Sequence, residues 1–79
     1  MKPQDNYLMF VRWSEEDAAY VGYCPDLFPA GGVCHGGSPV ETYTKLDEIV
    51  EDTVATAQAQ GLVLPPPRTR PMREVEMAA

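Results

Sequence analysis

The sequence predicts an α+β domain: an antiparallel sheet of three or four strands with one helix packed on one face, in the order β-β-β-α with a possible fourth strand at the edge. Three observations carry this. Residues 7–13 and 18–23 are short runs rich in aromatic and β-favouring residues, separated by the acidic stretch Ser14-Glu15-Glu16-Asp17, which is the pattern of a hairpin. Further on, Ser38-Pro39-Val40-Glu41 opens a segment whose apolar residues recur at three- and four-residue steps, the pattern of an amphipathic helix. A length of 79 residues leaves room for one domain.

The first strand, residues 7–13, places Tyr7, Met9, Val11 and Trp13 on one side and Leu8, Phe10 and Arg12 on the other. Both sides are largely apolar, so the strand is expected to be central in the sheet, or to meet another subunit with its second face. The second strand, residues 18–23, is stopped by Pro25, which lacks an amide donor. Residues 26–37 carry four glycines and a Phe28-Pro29 pair, so they read as a loop. Only Gly32-Val33-Cys34-His35 is extended enough for a short third strand.

The helix has the clearest signals. In Ser38-Pro39-Val40-Glu41 the serine hydroxyl is placed to accept from the Glu41 amide while the Glu41 carboxylate reaches back to the Ser38 amide. Pro39 stands at the first helical position, where its missing donor costs nothing. Tyr43, Leu46, Val50, Val54 and Ala57 form one apolar stripe. Glu41, Glu48 and Asp52 line the other side, with Glu41 four residues before Lys45. Gly61 ends the helix as a left-handed cap. Leu62-Val63-Leu64-Pro65-Pro66-Pro67 then runs as an extended strap, with Leu62 and Leu64 tucked under the helix end. The domain is expected to span residues 1–67, leaving 68–79 as a flexible tail or, at 73–77, an edge strand.

The formal net charge is −6, and Arg68, Arg70 and Arg73 lie in the tail, so the body is more acidic than the total. Such a surface repels phosphate backbones and suits a basic partner; direct binding of nucleic acid by the body is disfavoured. A chain this short buries only about 60% of its unfolded surface, which favours self-association as a homodimer or higher homo-oligomer. No apolar run is long enough to span a membrane, and the polar start Met1-Lys2-Pro3-Gln4-Asp5-Asn6 lacks a signal-peptide pattern, so a cytoplasmic location is expected. Two cysteines make no secreted disulfide framework, and a Cys24–Cys34 bridge would not persist in reducing cytosol.

Catalytic chemistry is hard to assemble from these residues. Cys34 and His35 are neighbours on a strand and point to opposite faces, so they form no nucleophile–base pair, and Cys24 has no third group to orient a dyad. Cys24, Asp26, Cys34 and His35 have ligand-type atoms without metal-ligand spacing. No metal or other cofactor is expected, and no catalytic residue is assigned. A metal-dependent hydrolase built on Asp26 or His35 is the weakest reading. Asp26 is more simply a turn residue after proline, and Asp47 lies at the margin of the stripe. The remaining candidate is the acidic helix face, Glu41, Asp47, Glu48, Glu51 and Asp52. Such a row commonly only keeps a helix soluble; its functional reading is a steering and docking surface with apolar anchors drawn from Trp13, Tyr20, Tyr23 and Phe28. The partner-binding set is thus Glu41, Glu48, Glu51, Asp52, Trp13 and Phe28.

An aromatic strand, an acidic turn, a strand returning into Pro25-Asp26-Leu27, a loop ending Gly36-Gly37-Ser38, a capped helix and a Leu62-Val63-Leu64-Pro65 exit together resemble the layout of HicB-like antitoxin domains, from about residue 7 to residue 67. The resemblance implies a pared-down ribonuclease H fold. It also implies neutralisation of a small basic, mRNA-cleaving HicA-type toxin by covering its active surface. Two departures bear on this. The loop Phe28-Pro29-Ala30-Gly31-Gly32 is longer than the Pro-Gly turn of many relatives, and the residues after Pro67 do not suggest the helix-turn-helix or ribbon-helix-helix of longer relatives, so autoregulation is not carried over. Ribonuclease H chemistry is not expected either, because it needs converging carboxylates and residues 7–13 hold none. The alternative is a stand-alone homo-oligomeric binding or scaffolding domain without a toxin partner.

Overall fold

The computed structural model describes residues 2–68. A 3₁₀ turn, Pro3–Asn6, precedes β1 (Phe10–Ser14), β2 (Ala19–Tyr23), β3 (Cys34–Gly36) and α1 (Pro39–Ala59). The strands form one antiparallel sheet in the order β1-β2-β3, and α1 lies across one face. This is the expected β-β-β-α arrangement. The proposed edge strand at 73–77 lies outside the described residues.

The hairpin register pairs Phe10 with Tyr23 and Trp13 with Tyr20. The turn falls one residue later than predicted, at 15–18. Ser14 Oγ anchors it by accepting from the Asp17 amide at 3.3 Å, and Ala18 closes it at φ 51°, in the left-handed region. The strand β1 begins at Phe10 because residues 7–9 serve another purpose. Tyr7 is buried and its hydroxyl donates to the Pro65 carbonyl at 2.6 Å, fastening the strap. Among the described residues β1 is an edge strand, not a central one. Its second apolar face is accounted for partly by the Phe10–Tyr23 stack, with centroids 5.0 Å apart at 15°.

The third strand lies two residues later than its predicted start, with Cys34 opposite Gly22 and Gly36 opposite Tyr20. Gly32 is instead laid against Val21, which is buried although it points away from the helix. The other face packs on α1 closely. A Cβ on Gly36 would come within 2.7 Å of Thr42 Oγ1, and one on Gly22 within 3.3 Å of Leu46. Glycine at both positions therefore lets the first turns of the helix settle on the sheet.

This close approach also corrects the predicted stripe. Thr42, not Tyr43, is the first inward residue, followed by Leu46, Val50, Val54 and Ala57; Tyr43 is 43% exposed. The Thr42 hydroxyl donates to the Ser38 carbonyl at 2.7 Å, so its polarity is met within the helix. The core gathers Tyr7, Cys24, Leu46, Val50 and Val54, with Leu27, Phe28, Val33 and Leu64 packed against them.

Both helix ends are closed. Ser38 Oγ accepts from the Glu41 amide at 3.1 Å as predicted, but the Glu41 carboxylate accepts from the Gly37 amide, one residue before the expected partner. At the other end Gly61 adopts φ 70°. The Leu62 amide donates to Ala57 and the Gly61 amide to Gln58, the paired bonds of a Schellman cap. Of the two strap leucines, Leu64 packs on the core and Leu62 remains 59% exposed.

Candidate interaction surface

The six residues of the predicted partner-binding set do not form one surface. Phe28 is packed against the core, where it closes the loop after β2; its amide donates to the Cys24 carbonyl at 2.8 Å. Glu51 faces the N-terminal turn. Its Oε2 accepts from Lys2 Nζ at 2.9 Å and from Gln4 Nε2 at 3.1 Å, and Gln4 is itself buried. These donors hold the Glu51 carboxyl below its ordinary pKa, the Lys2 hydrogen bond contributing most, and the same contact raises Lys2. Lys2 and Gln4, in a polar segment without periodicity, gave no sign of this clamp in the sequence.

Glu41 is also engaged. The Gly37 amide chiefly, then Lys45 at 3.6 Å, lower the pKa of its carboxyl. Lys45 in turn donates to the His35 carbonyl at 3.1 Å, bridging α1 to the outer side of β3. Glu48 and Asp52 differ: both are exposed, and neither forms a side-chain hydrogen bond or ion pair among the described residues. They lie four residues apart on the outer flank of α1 with Glu41. This flank offers uncommitted carboxylates on a helix fixed at both ends.

Trp13 belongs to a second surface. It is 45% exposed and meets Tyr20 edge-on, with centroids 5.1 Å apart. Beside it an open groove of ≈ 350 Å³ runs between β1 and the start of α1, lined by Val11, Pro39, Val40, Tyr43 and Thr44. On the opposite sheet face a larger depression of ≈ 490 Å³ involves Val21, Tyr23, Gly32 and His35.

Cys34 and His35 lie on opposite faces of the sheet. Cys34 turns inward and its thiol lies 3.6 Å from the Thr42 carbonyl, while His35 is exposed on the other face. Both cysteines are free thiols, and burial raises the pKa of each, which opposes thiolate formation. Asp26 accepts from the Arg68 amide at 3.1 Å and so fastens the end of the strap. Among the described residues no three His, Cys, Asp or Glu side chains are grouped to hold a metal ion. No helix among them is long and apolar enough to cross a membrane. Comparison of the chain with protein-family models, curated proteins and solved structures finds no match.

Proposed function

We propose that the chain is an antitoxin-like binding protein, acting without turnover. It would occupy the active surface of a small basic, mRNA-cleaving toxin of the HicA type in the cytoplasm, where its thiols stay reduced. The observation that carries this reading is the outer flank of α1. Glu48 and Asp52 have no side-chain partner there among the described residues, while Glu41 and Glu51 are held by the fold. A carboxylate already bonded inside its own chain contributes little to a partner; an uncommitted one contributes steering and hydrogen bonds. The resemblance to HicB-like domains, with the net charge of −6, supplies the kind of partner.

Co-expression of the chain with such a toxin tests this. Messenger RNA is expected to remain intact, and Glu48→Lys with Asp52→Lys is expected to restore cleavage. Continued cleavage at saturating antitoxin refutes the proposal. The alternative, a self-associating domain without a toxin, is favoured by a different observation, the outer edge of β1, with which no strand pairs among the described residues.

A further inference from the structure

The helix α1 covers one face of the sheet and leaves the other to solvent. A Cβ on Gly22 or Gly36 would meet Leu46 or Thr42, so these residues face the helix and their strand neighbours face outward. The register sets Arg12, Val21 and His35 in one outward row across the three strands, and Phe10 beside Tyr23 in the next. Val21 is a buried floor, and the depression of ≈ 490 Å³ opens over it toward Tyr23, Gly32 and His35. Phe10 stacks on Tyr23 from the β1 side, with the rings 15° from parallel. The depression lies on the β3 side, so the second face of the Tyr23 ring borders it. Gly32 keeps that space open, because a Cβ there would stand 2.6 Å from Val21 and 3.9 Å from the Tyr23 ring.

We propose that this face binds a nucleoside monophosphate, its base stacked on Tyr23 and its phosphate held over Val21 by Arg12 and His35. Charge selects an anion. The strands β1, β2 and β3 contain no Asp or Glu. Up to residue 67 the chain has three cations, Lys2, Arg12 and Lys45. Lys2 is paired with Glu51 and Lys45 with Glu41, whereas Arg12 is exposed and has no side-chain partner among the described residues. Neighbouring strands lie about 4.8 Å apart, so Arg12 and His35 start about 10 Å apart and can close on one phosphate between them. The guanidinium brings a fork of donors to it and the imidazole one N–H more. The aromatic row stands about 7 Å further along the strands, the reach of a ribose between base and phosphate. Any base has a flat face to lay on Tyr23. The acidic turn limits the ligand to one phosphate. Glu15, Glu16 and Asp17 lie beyond the Arg12 row, at the end away from Tyr23, and Asp17, bonded to Ser14 at 2.9 Å, borders the depression. Further phosphates would meet these carboxylates, which disfavours a nucleic-acid strand as the occupant.

The site lies on the sheet face opposite α1, so its failure leaves toxin inhibition untouched, and the reverse also holds. Adenosine 5′-monophosphate titrated into the full chain, with the Tyr23 and His35 ring signals followed by NMR, tests it. Both signals are expected to shift together and to saturate below about 10 mM. Adenosine and inorganic phosphate, each lacking half of the ligand, are expected to bind at least about tenfold more weakly. Arg12→Gln is expected to weaken the monophosphate about tenfold and to leave adenosine unchanged, a difference that a loss of folding would not produce. Tyr23→Leu is expected to weaken both about tenfold. Ring signals that stay unmoved up to about 10 mM overturn the proposal. So does adenosine that binds as well as the monophosphate, or an Arg12→Gln chain that binds as before. Tighter binding of a single-stranded oligoadenylate than of the monophosphate also overturns it, by making RNA the ligand.

Discussion

At the scale of single residues, one carboxylate and the ammonium group bonded to it couple the fold to pH. Glu51 is ordinarily half-protonated near 4.5, and its bonds to Lys2 and Gln4 lower that value in the folded chain. Its contribution is therefore complete above pH 4.5 and lost as pH falls through the lowered value. Lys2 has the opposite sign: its pKa is raised above 10.5, so its contribution is complete below that pH and lost as pH rises through the raised value. Thermal unfolding followed across pH is expected to show both limbs, and Glu51→Gln to shrink both together. The Ser38 cap provides a separate check. Ser38→Ala is expected to cost about 1 kcal/mol, a fall in melting temperature of about 5 °C for a domain of this size. Much at this scale could be read beforehand: the Ser38 cap and the left-handed Gly61 rest on local chemistry alone. Thr42 could not, since its inward turn depends on the missing Cβ atom of Gly36 across the sheet.

At the scale of elements, the helix and the hairpin were legible because each declares itself within a short window. The periodic run from Leu46 to Ala57 predicted the buried stripe, and Pro25 marked the end of β2. The edge position of β1 was not legible, because an apolar second face looks the same whether a neighbouring strand, a stacked Phe10–Tyr23 pair or another molecule covers it. The clamp of Gln4 on Glu51 was invisible for a similar reason: it joins residues 47 apart in sequence. What holds the elements together is concentrated at Leu46, which is fully buried at the centre of the core. Leu46→Ala is expected to cost about 3 kcal/mol, against a total on the order of 5–10 kcal/mol for a chain of this length. Denaturant titration should show the midpoint falling by a third or more, with little change in slope.

At the scale of the whole molecule, the fold divides its surfaces by charge. The outer flank of α1 presents Glu48 and Asp52 to solvent, while β1 holds Arg12 as its single charge. Of the six residues expected to bind a partner, only Glu48 and Asp52 are exposed carboxylates without a side-chain bond among the described residues. The sequence identified the acidic helix, but Glu41 and Glu51 are taken up by contacts with Gly37, Lys2 and Gln4 that arise only on folding. If the flank steers a basic toxin, association should slow as salt rises through the range where the screening length shortens below about 10 Å. Glu48→Lys together with Asp52→Lys should slow it about tenfold at low salt and flatten that salt dependence. Stopped-flow mixing reads both.

We propose above that the chain occupies a basic ribonuclease and transforms nothing itself. Titrating a fixed amount of HicA-type toxin with the purified chain, and following messenger RNA cleavage, tests it most directly. Cleavage is expected to fall linearly and to end at a fixed ratio of chain to toxin, with RNA left intact by the chain alone. Cleavage that persists at excess chain, or that stops at amounts far below the toxin, would contradict it.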